Sequence, residues 1–576
     1  MAKSKPKKVE TQADVTRAAE SKAQPPAERW FLLFAVLGGA AFFVIYLLRL
    51  DRVAGMFMDD AWYALLAKAL ATGQGYTLIN SPTPGILPLY PPAYPFLLAV
   101  FFKLWPQFPN NILLLKAVSI AAMLLTGLAA YFYLNRYRQW PRATALLAAL
   151  VTALSPGLAF MATSSLMSEC VFAAAQMLAL VAVEECVRRR EAERWWLFAT
   201  LAGLACSAAF LTRSMAIGLV ATALLYLAKE KLFKTALVFG VTVAVMLGGW
   251  TLYTQSRKPT AAQRAEVNNY IVRPYSEQFW DRLAGHESAG RITLGELPER
   301  LWNNSSSILL NDAGGMLLPA LYPALNQWLA ERGGGLQWTL SLLACVLVLA
   351  GYFLTVMEGV TLAELALPVS VAIVLAWPFP PYRFLLPALP LLLLYFLQGT
   401  KLFWFLHRRL SGEKQAGTHW GALNGFAVLL LLLCLLGHGS YLARKFAATP
   451  SERPRFLRVF DEQAAVLKWT AENVPKTDVI VTQNPGLVYL YTGNHTTTFE
   501  NPETHWANWN QLGVRYYVQL APTRLPEPSG PERQYRVAHR AGGELNLRVL
   551  DLGQPAGRPA WGVAPANIKM DGLIGR

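Results

Sequence analysis

The sequence predicts a mainly α-helical, polytopic membrane protein with a small α/β unit at its C-terminal end, and three observations carry that reading. Hydrophobic residues make up 54% of the 576 and charged residues only 15%, which is too apolar for a soluble chain of this length. Apolar runs of about 20 residues recur, the length that crosses a hydrocarbon core as a helix. The Lys and Arg behind the net charge of +16 sit in short clusters between these runs, as in cytoplasmic loops under the positive-inside rule. That distribution speaks against a nucleic-acid partner, which a basic soluble chain would suggest.

Residues 1–29, basic and rich in Pro and Ala, read as a disordered cytoplasmic tail. The basic stretch is too long for a signal peptide, and no small-x-small site follows the first apolar run. "FLLFAVLGGAAFFVIYLLRL" therefore reads as a retained first span, 30–50. An outer segment, 51–110, comes next. Within it, "DDAWYALLAKALATGQGY" puts Ala61, Leu65 and Leu66 on one stripe, the pattern of a helix lying flat in the interface and ending at Gly73 or Gly75. The prolines of "SPTPGILPLYPPAYPFLLAVFFKLW" break any continuous helix and return the chain to the interface.

Further spans are expected near 111–134, 142–159, 166–186, 195–212, 214–228, 235–253, 336–356, 361–377, 384–400 and 421–442, which makes eleven in all. Basic clusters such as "NRYRQWPR", "VRRREAERWW", "KEKLFK" and "KLFWFLHRRLSGEKQ" alternate onto the side of the N-terminus. The long segments 51–110, 255–335 and 443–576 fall on the other side. Residues 30–254 then form a first transmembrane module and 336–442 a second group of helices. Cys170, Cys186, Cys206, Cys345 and Cys434 lie in or beside apolar runs with no CxxC pair, and read as small membrane-core residues.

Residues 443–576 are patterned differently. "FLRVFDEQAAVLKWTAENVP" has helical periodicity and stops at Asn473 and Pro475. "DVIVTQ" and "GVRYYVQL" read as strands, "PGLVYLYTG" as a short helix or turn, and "YRVAHRAGGELNLRVLDL" as a hairpin. A small extracytoplasmic α/β domain is the expectation.

Polar residues that matter in a membrane protein face a bundle interior or a cavity mouth. Here they gather at the outer level: Asp59 and Asp60 after the first span, Glu169 at the start of the fourth, Arg213 at the 5–6 turn and Arg383 beside the tenth. Each has a plain alternative. An acidic pair can simply open a solvated loop, arginines can snorkel to headgroups, and Glu169 can serve the helix macrodipole. Taken together they suggest a chemistry. A carboxylate can take a proton from an attacking hydroxyl, and arginine can hold a phosphate leaving group. A phosphate at the membrane with its sugar outside points to glycosyl transfer from a polyprenyl-phosphate carrier. A flippase or transporter would instead call for midplane charges and interrupted repeats, and a polysaccharide polymerase would not need the acidic pair.

The acidic pair Asp59-Asp60, "YPPAYPFLLAV", "SSLMSE", "LACSAAFLTRSMAIGL", "PPYRFLLPALPLLLLYF" and "NPGLVYLYTGNHTTTF" together resemble the GT-C superfamily of integral-membrane glycosyltransferases. Within it the likeness is to the branch of aminoarabinose transferases, protein mannosyltransferases and lipopolysaccharide-core sugar transferases. The resemblance implies a seven-helix module, variable later helices and an extracytoplasmic domain in a multi-pass inner-membrane protein with a cytoplasmic N-terminus. It implies Asp59 as catalytic base, Asp60 as its partner in orienting acceptor or metal, and Glu169 as the second acidic position. Arg383, and more weakly Arg213, would contact the donor phosphate. Aminoarabinose transferases carry a lysine before the Pro-Pro pair, where this chain has Tyr90. The phosphate ligand is then missing or supplied by Lys103, Arg213 or Arg383, which favours a neutral sugar.

Some GT-C enzymes bind a divalent metal between acidic groups, and Asp59, Asp60 and Glu169 offer hard oxygens for Mg²⁺ or Mn²⁺. Base catalysis without a metal explains the same residues. His495 and His505 do not have the spacing of a zinc pair and read as surface loop. The expected partners are the bilayer, a lipid-linked sugar donor, and a glycan, lipid or protein acceptor. The 255–335 segment is placed to close over the site and keep water out.

Overall fold

The computed structural model describes residues 26–83, 85–267, 269–283, 286–318, 335–402, 420–499, 508–521 and 536–553. Most of the tail expected over 1–29 lies outside them, as do His505 and much of the basic stretch after residue 402.

The first module runs through α1 (Pro26–Arg49), α2 (Asp59–Ala71), α3 (Ala93–Leu104), α4 (Ile112–Phe132), α5 (Arg142–Ala153), α6 (Pro156–Ser164), α7 (Glu169–Arg188), α8 (Trp195–Thr212), α9 (Ile217–Lys229) and α10 (Phe233–Ser256). The later helices are α11 (Gly335–Glu358), α12 (Leu362–Ala376), α13 (Pro381–Leu385), α14 (Leu389–Gly399) and α15 (Trp420–Lys445). Among the described residues, eight helical segments are long and apolar enough to cross a membrane, and nine if α5 and α6, bent by 45°, make one span. Pro156 opens α6 and accounts for the bend, since proline removes a donor and crowds the preceding turn. The expected spans over 214–228 and 361–377 are shorter apolar helices, 214–229 and 362–376.

Helices α11 and α14 cross in close backbone contact. A Cβ on Gly351 would lie 1.8 Å from the Tyr395 carbonyl oxygen, and one on Gly399 would lie 2.0 Å from that of Leu347. This is the small-residue packing that lets membrane helices approach.

The segment after α10 is built rather than open. It holds short helices, a hairpin of β1 (Asp281–Leu283) and β2 (His286–Arg291), and a helix at Leu297–Ser307. Arg273 grips Asp281 through two guanidinium nitrogens at 3.1 and 2.6 Å. Asn304 donates to the carbonyls of Leu375 and Trp377 at the end of α12.

After α15 come α16 (Arg455–Asn473), β3 (Val479–Thr482), α17 (Pro485–Thr492), β4 (Thr496–Thr498), β5 (Val514–Val518), β6 (Arg536–Arg540) and β7 (Arg548–Asp551). They form a mixed five-stranded sheet in the order β4-β3-β5-β7-β6. β3 pairs in parallel with β4 and β5, and the hairpin strand β7 runs antiparallel to β5. The parallel β3–β4 step needs a crossover, and α17 is that crossover. Every helix and strand read from the sequence in this region is present.

The fate of α2 differs from expectation. It does not lie flat on lipid: most of its 13 residues are buried, including Trp62, Leu65 and Leu66. Trp62, Tyr63 and Leu65 belong to the main helical core, while Ala61 belongs to the core of the C-terminal unit. The helix is a seam between two bodies, and its second apolar face meets α17, not lipid. It is α3 that leaves Phe96, Leu97, Val100 and Leu104 exposed.

Candidate active site

The turn before α2 is wound around Asp60. The Asp60 carboxylate accepts N–H bonds from Gly55 (2.7 Å), Met56 (3.1 Å), Phe57 (3.3 Å) and Ala61 (3.1 Å). Two bonds to each oxygen exhaust a carboxylate's acceptor capacity. Met58 takes φ +61° and Gly55 φ +83°, so the chain reverses tightly before entering the helix. Burial pushes the Asp60 carboxyl up to about 6, the Gly55 N–H pulls it down, and the neighbouring Asp59 charge pushes it up again. With Asp60 turned into its own backbone, Asp59, one residue away on the helix, is aimed elsewhere.

Asp59 faces the interior of the molecule. Its Oδ1 accepts from the phenols of Tyr90 (2.5 Å) and Tyr270. Its Oδ2 accepts from Arg383 Nη2 at 2.9 Å. Burial raises both phenols well above the usual tyrosine range, and the Asp59 charge adds to this, so both stay protonated as donors. Arg383 also reaches Glu169, with Nε 3.3 Å from Oε1, and Arg213 Nη1 lies 2.8 Å from the same oxygen. Arg213 Nη1 donates to Ser168 Oγ at 3.2 Å, and Ser168 Oγ is 3.1 Å from the Tyr63 hydroxyl. Asp59, Arg383, Glu169 and Arg213 thus form a ladder of alternating charge.

Both guanidinium carbons lie 5.0 Å from the centre of the Phe384 ring, within cation–π range. Glu169 is fully buried, yet neither of its oxygens makes an aligned hydrogen bond. Its pairing with the arginines is one of charge and proximity. The opening to solvent is on the other rung: the side chains of Arg383 and Asp59 are 17% and 12% exposed.

Of the residues singled out in the sequence, Asp59, Glu169, Arg213, Arg383 and Tyr90 come together. Tyr90 does so as a donor to Asp59. Two do not join them. Asp60 is adjacent in sequence, but its oxygens are spent on backbone N–H groups. Lys103 is exposed near the end of α3, roughly 14 Å of helix rise beyond Tyr94.

The three carboxylates do not make a metal site either. The described residues contain no group of three or more His, Cys, Asp or Glu side chains able to hold an ion. A guanidinium stands between Asp59 and Glu169, and Asp60 has no lone pair to spare, so a divalent cation does not fit this donor set. His495 is exposed. Tyr270 is the residue sequence reading missed. It sits in "NNYIVRPY", an apolar fragment of a polar segment, and nothing local marks it.

Residues 90–251 match the family of dolichyl-phosphate-mannose-protein mannosyltransferases. No curated protein matches the chain by sequence. Among solved structures, it is similar to ArnT from Cupriavidus metallidurans bound to undecaprenyl phosphate, at 14% identity and a TM-score of 0.53, covering 92% of this chain and 99% of that one. It is also similar to the apo oligosaccharyltransferase of Archaeoglobus fulgidus, at 13% identity and a TM-score of 0.52, covering 85% and 69%. At such identities the likeness is one of fold. The fold is that of the GT-C superfamily.

Proposed function

We propose that this GT-C-fold chain is an inverting glycosyltransferase that moves a sugar from a polyprenyl-phosphate donor to a hydroxyl of a glycan, lipid or protein. The reaction would take place on the extracytoplasmic face of the inner membrane. The N-terminus would then be cytoplasmic, and the C-terminal α/β unit, with segments 51–110 and 255–335, would stand outside. One observation supports this above the rest: Asp59, a carboxylate whose side chain keeps 12% of its surface open to solvent, sits against a guanidinium ladder that can receive a phosphate. The matched family acts with dolichyl-phosphate-mannose, and the ArnT neighbour holds undecaprenyl phosphate. Both favour a lipid phosphate as the leaving group.

In the proposed step the acceptor O–H gives its proton to Asp59 as its oxygen attacks the anomeric carbon. The bond from that carbon to the phosphate oxygen breaks, and the lipid phosphate leaves with the electron pair. One displacement from the far side inverts the anomeric centre. Arg383, which touches Asp59 and Glu169 through two of its nitrogens, has further N–H donors for the phosphate, and Arg213 stands behind it. Drawing Arg383 toward a phosphate would loosen its hold on Oδ2 and free that oxygen for the acceptor's proton, so donor binding and base action would be coupled.

The test is Asp59→Asn in the purified full-length chain, assayed for transfer from a polyprenyl-phosphate sugar. Loss of transfer by about 100-fold or more, with polyprenyl-phosphate binding retained and the chain still folded, is the expected result for removal of a general base. Full activity would remove Asp59 from that role, and movement of labelled lipid without transfer would replace the reading with a flippase.

A further inference from the structure

Asn484 of the C-terminal unit reaches the acidic turn with its side chain, which makes two bonds of different kinds. Its Oδ1 accepts from the Leu487 N–H at 3.2 Å and so caps α17. Its Nδ2 donates to the Gly55 carbonyl at 2.9 Å, across 429 residues of sequence. Gly55 is the residue on which the turn hinges. Its N–H donates to Asp60 at 2.7 Å, and its carbonyl also accepts from the N–H of Met58, the residue before Asp59.

The fit around it is close. A Cβ on Gly55 would lie 2.6 Å from Leu487, and one on Gly486 would lie 3.1 Å from Trp62. Capping alone does not call for asparagine, since Asp, Ser or Thr would cap as well. Asparagine offers an acceptor to its own helix from one atom and a donor to a facing carbonyl from another, where a Ser or Thr hydroxyl would have to do both from a single oxygen and Asp has no donor when ionised.

We infer that Asn484 is a positioning residue for Asp59: by holding the Gly55 carbonyl, the C-terminal unit fixes the turn that aims the carboxylate. This rests on the reading of Asp59 as the base. Asn484 touches no reacting atom. An acceptor–base pair is sensitive to displacements of about 1 Å, which can cost on the order of 100-fold in rate. A turn rich in positive φ has no regular structure of its own to hold it to that tolerance.

Asn484→Asp separates the two bonds, because it keeps the cap and puts an acceptor where Gly55 needs a donor. Asn80 supplies the control. Its Nδ2 donates to Thr496 Oγ1 at 3.1 Å, another buried bond to the C-terminal unit that does not reach the turn. With the full-length chain in detergent, Asn484→Asp is expected to lower kcat by about 10- to 100-fold. KM for donor and acceptor should stay within about twofold, and hydrogen exchange at residues 53–58 should become faster. Asn80→Ala is expected to leave kcat and that exchange unchanged. Equal kcat losses in the two variants would reduce Asn484 to a docking contact and overturn the inference. Unchanged exchange at 53–58 in Asn484→Asp would overturn it whatever happens to Asp59. Full activity in Asp59→Asn would instead strike the reading of the base, and the exchange data would then still decide whether Asn484 orders the turn.

Discussion

Asp59 and Asp60 are neighbours with separate employments, and a substitution can tell them apart. Asp60→Asn keeps the size but brings an amide N–H₂ into a ring of backbone N–H donors. At least one buried donor then goes unpaired, at a cost of about 1–3 kcal/mol. Asp60→Asn should therefore lower the melting temperature, with activity lost in step with folding, whereas Asp59→Asn, which breaks the pair with Arg383, should lose transfer far beyond anything its fall in melting temperature explains. Thermal unfolding in detergent beside the transfer assay checks both. The doubled charge was legible in the sequence, but not which member faced the backbone. That depends on Met58 at φ +61° and Gly55 at φ +83°, and Met58 is not a residue type that announces a left-handed turn. Arg213, Glu169 and Arg383 were legible because charge is rare at the ends of apolar runs. Tyr270 was not, because a tyrosine in a polar segment is ordinary.

Elements were read well where one physical signal dominates. Long apolar runs gave α1, α4, α7, α8, α10, α11 and α15, and alternation with turn residues gave the strands of the C-terminal sheet. The reading failed where an element's surroundings decide its role. The stripe on α2 was correctly apolar, but periodicity says only that a face is covered, and its cover is α17, more than 400 residues away. The α11–α14 crossing was equally hidden, since Gly351 and Gly399 look like any glycines in a membrane helix. Their geometry makes a strong prediction. Gly351→Ala puts a methyl 1.8 Å from the Tyr395 carbonyl oxygen, a clash with backbone that only separation of the helices relieves. Overpacking of this kind costs about 1–3 kcal/mol or more. The substitution should lower the unfolding temperature, and Gly399→Ala should do the same. Gly425→Ala on α15, where a Cβ meets nothing within 4 Å, should not.

At the scale of the whole molecule, the site exists because distant parts of the chain converge on one carboxylate. Segment 51–110 supplies Asp59 and Tyr90, α7 supplies Glu169, the α8–α9 turn supplies Arg213, the segment after α10 supplies Tyr270, and α13 supplies Arg383. Both Asp59 oxygens are engaged, Oδ2 by Arg383 and Oδ1 by two phenols. A hydroxyl donating to Oδ1 is also what an acceptor would present in the proposed reaction, so one phenol must give way. Tyr90 is 9% exposed and stacks on Tyr63 with ring centroids 5.0 Å apart, whereas Tyr270 is only partly buried. In the proposed reaction Tyr270 is then the phenol that would yield, and until it did it would keep water from Asp59. Tyr270→Phe should let water take that place. The expected outcome is a severalfold rise in free sugar released from the donor in the absence of acceptor, since a hydrogen bond to a charged group is worth about 1.5–3 kcal/mol. Transfer to acceptor should persist, because Tyr90 and Arg383 still orient Asp59. Chromatography of the released sugar checks it: an unchanged hydrolysis rate would show that Tyr270 does not guard the base, and loss of transfer equal to that of Asp59→Asn would make it part of the reacting assembly.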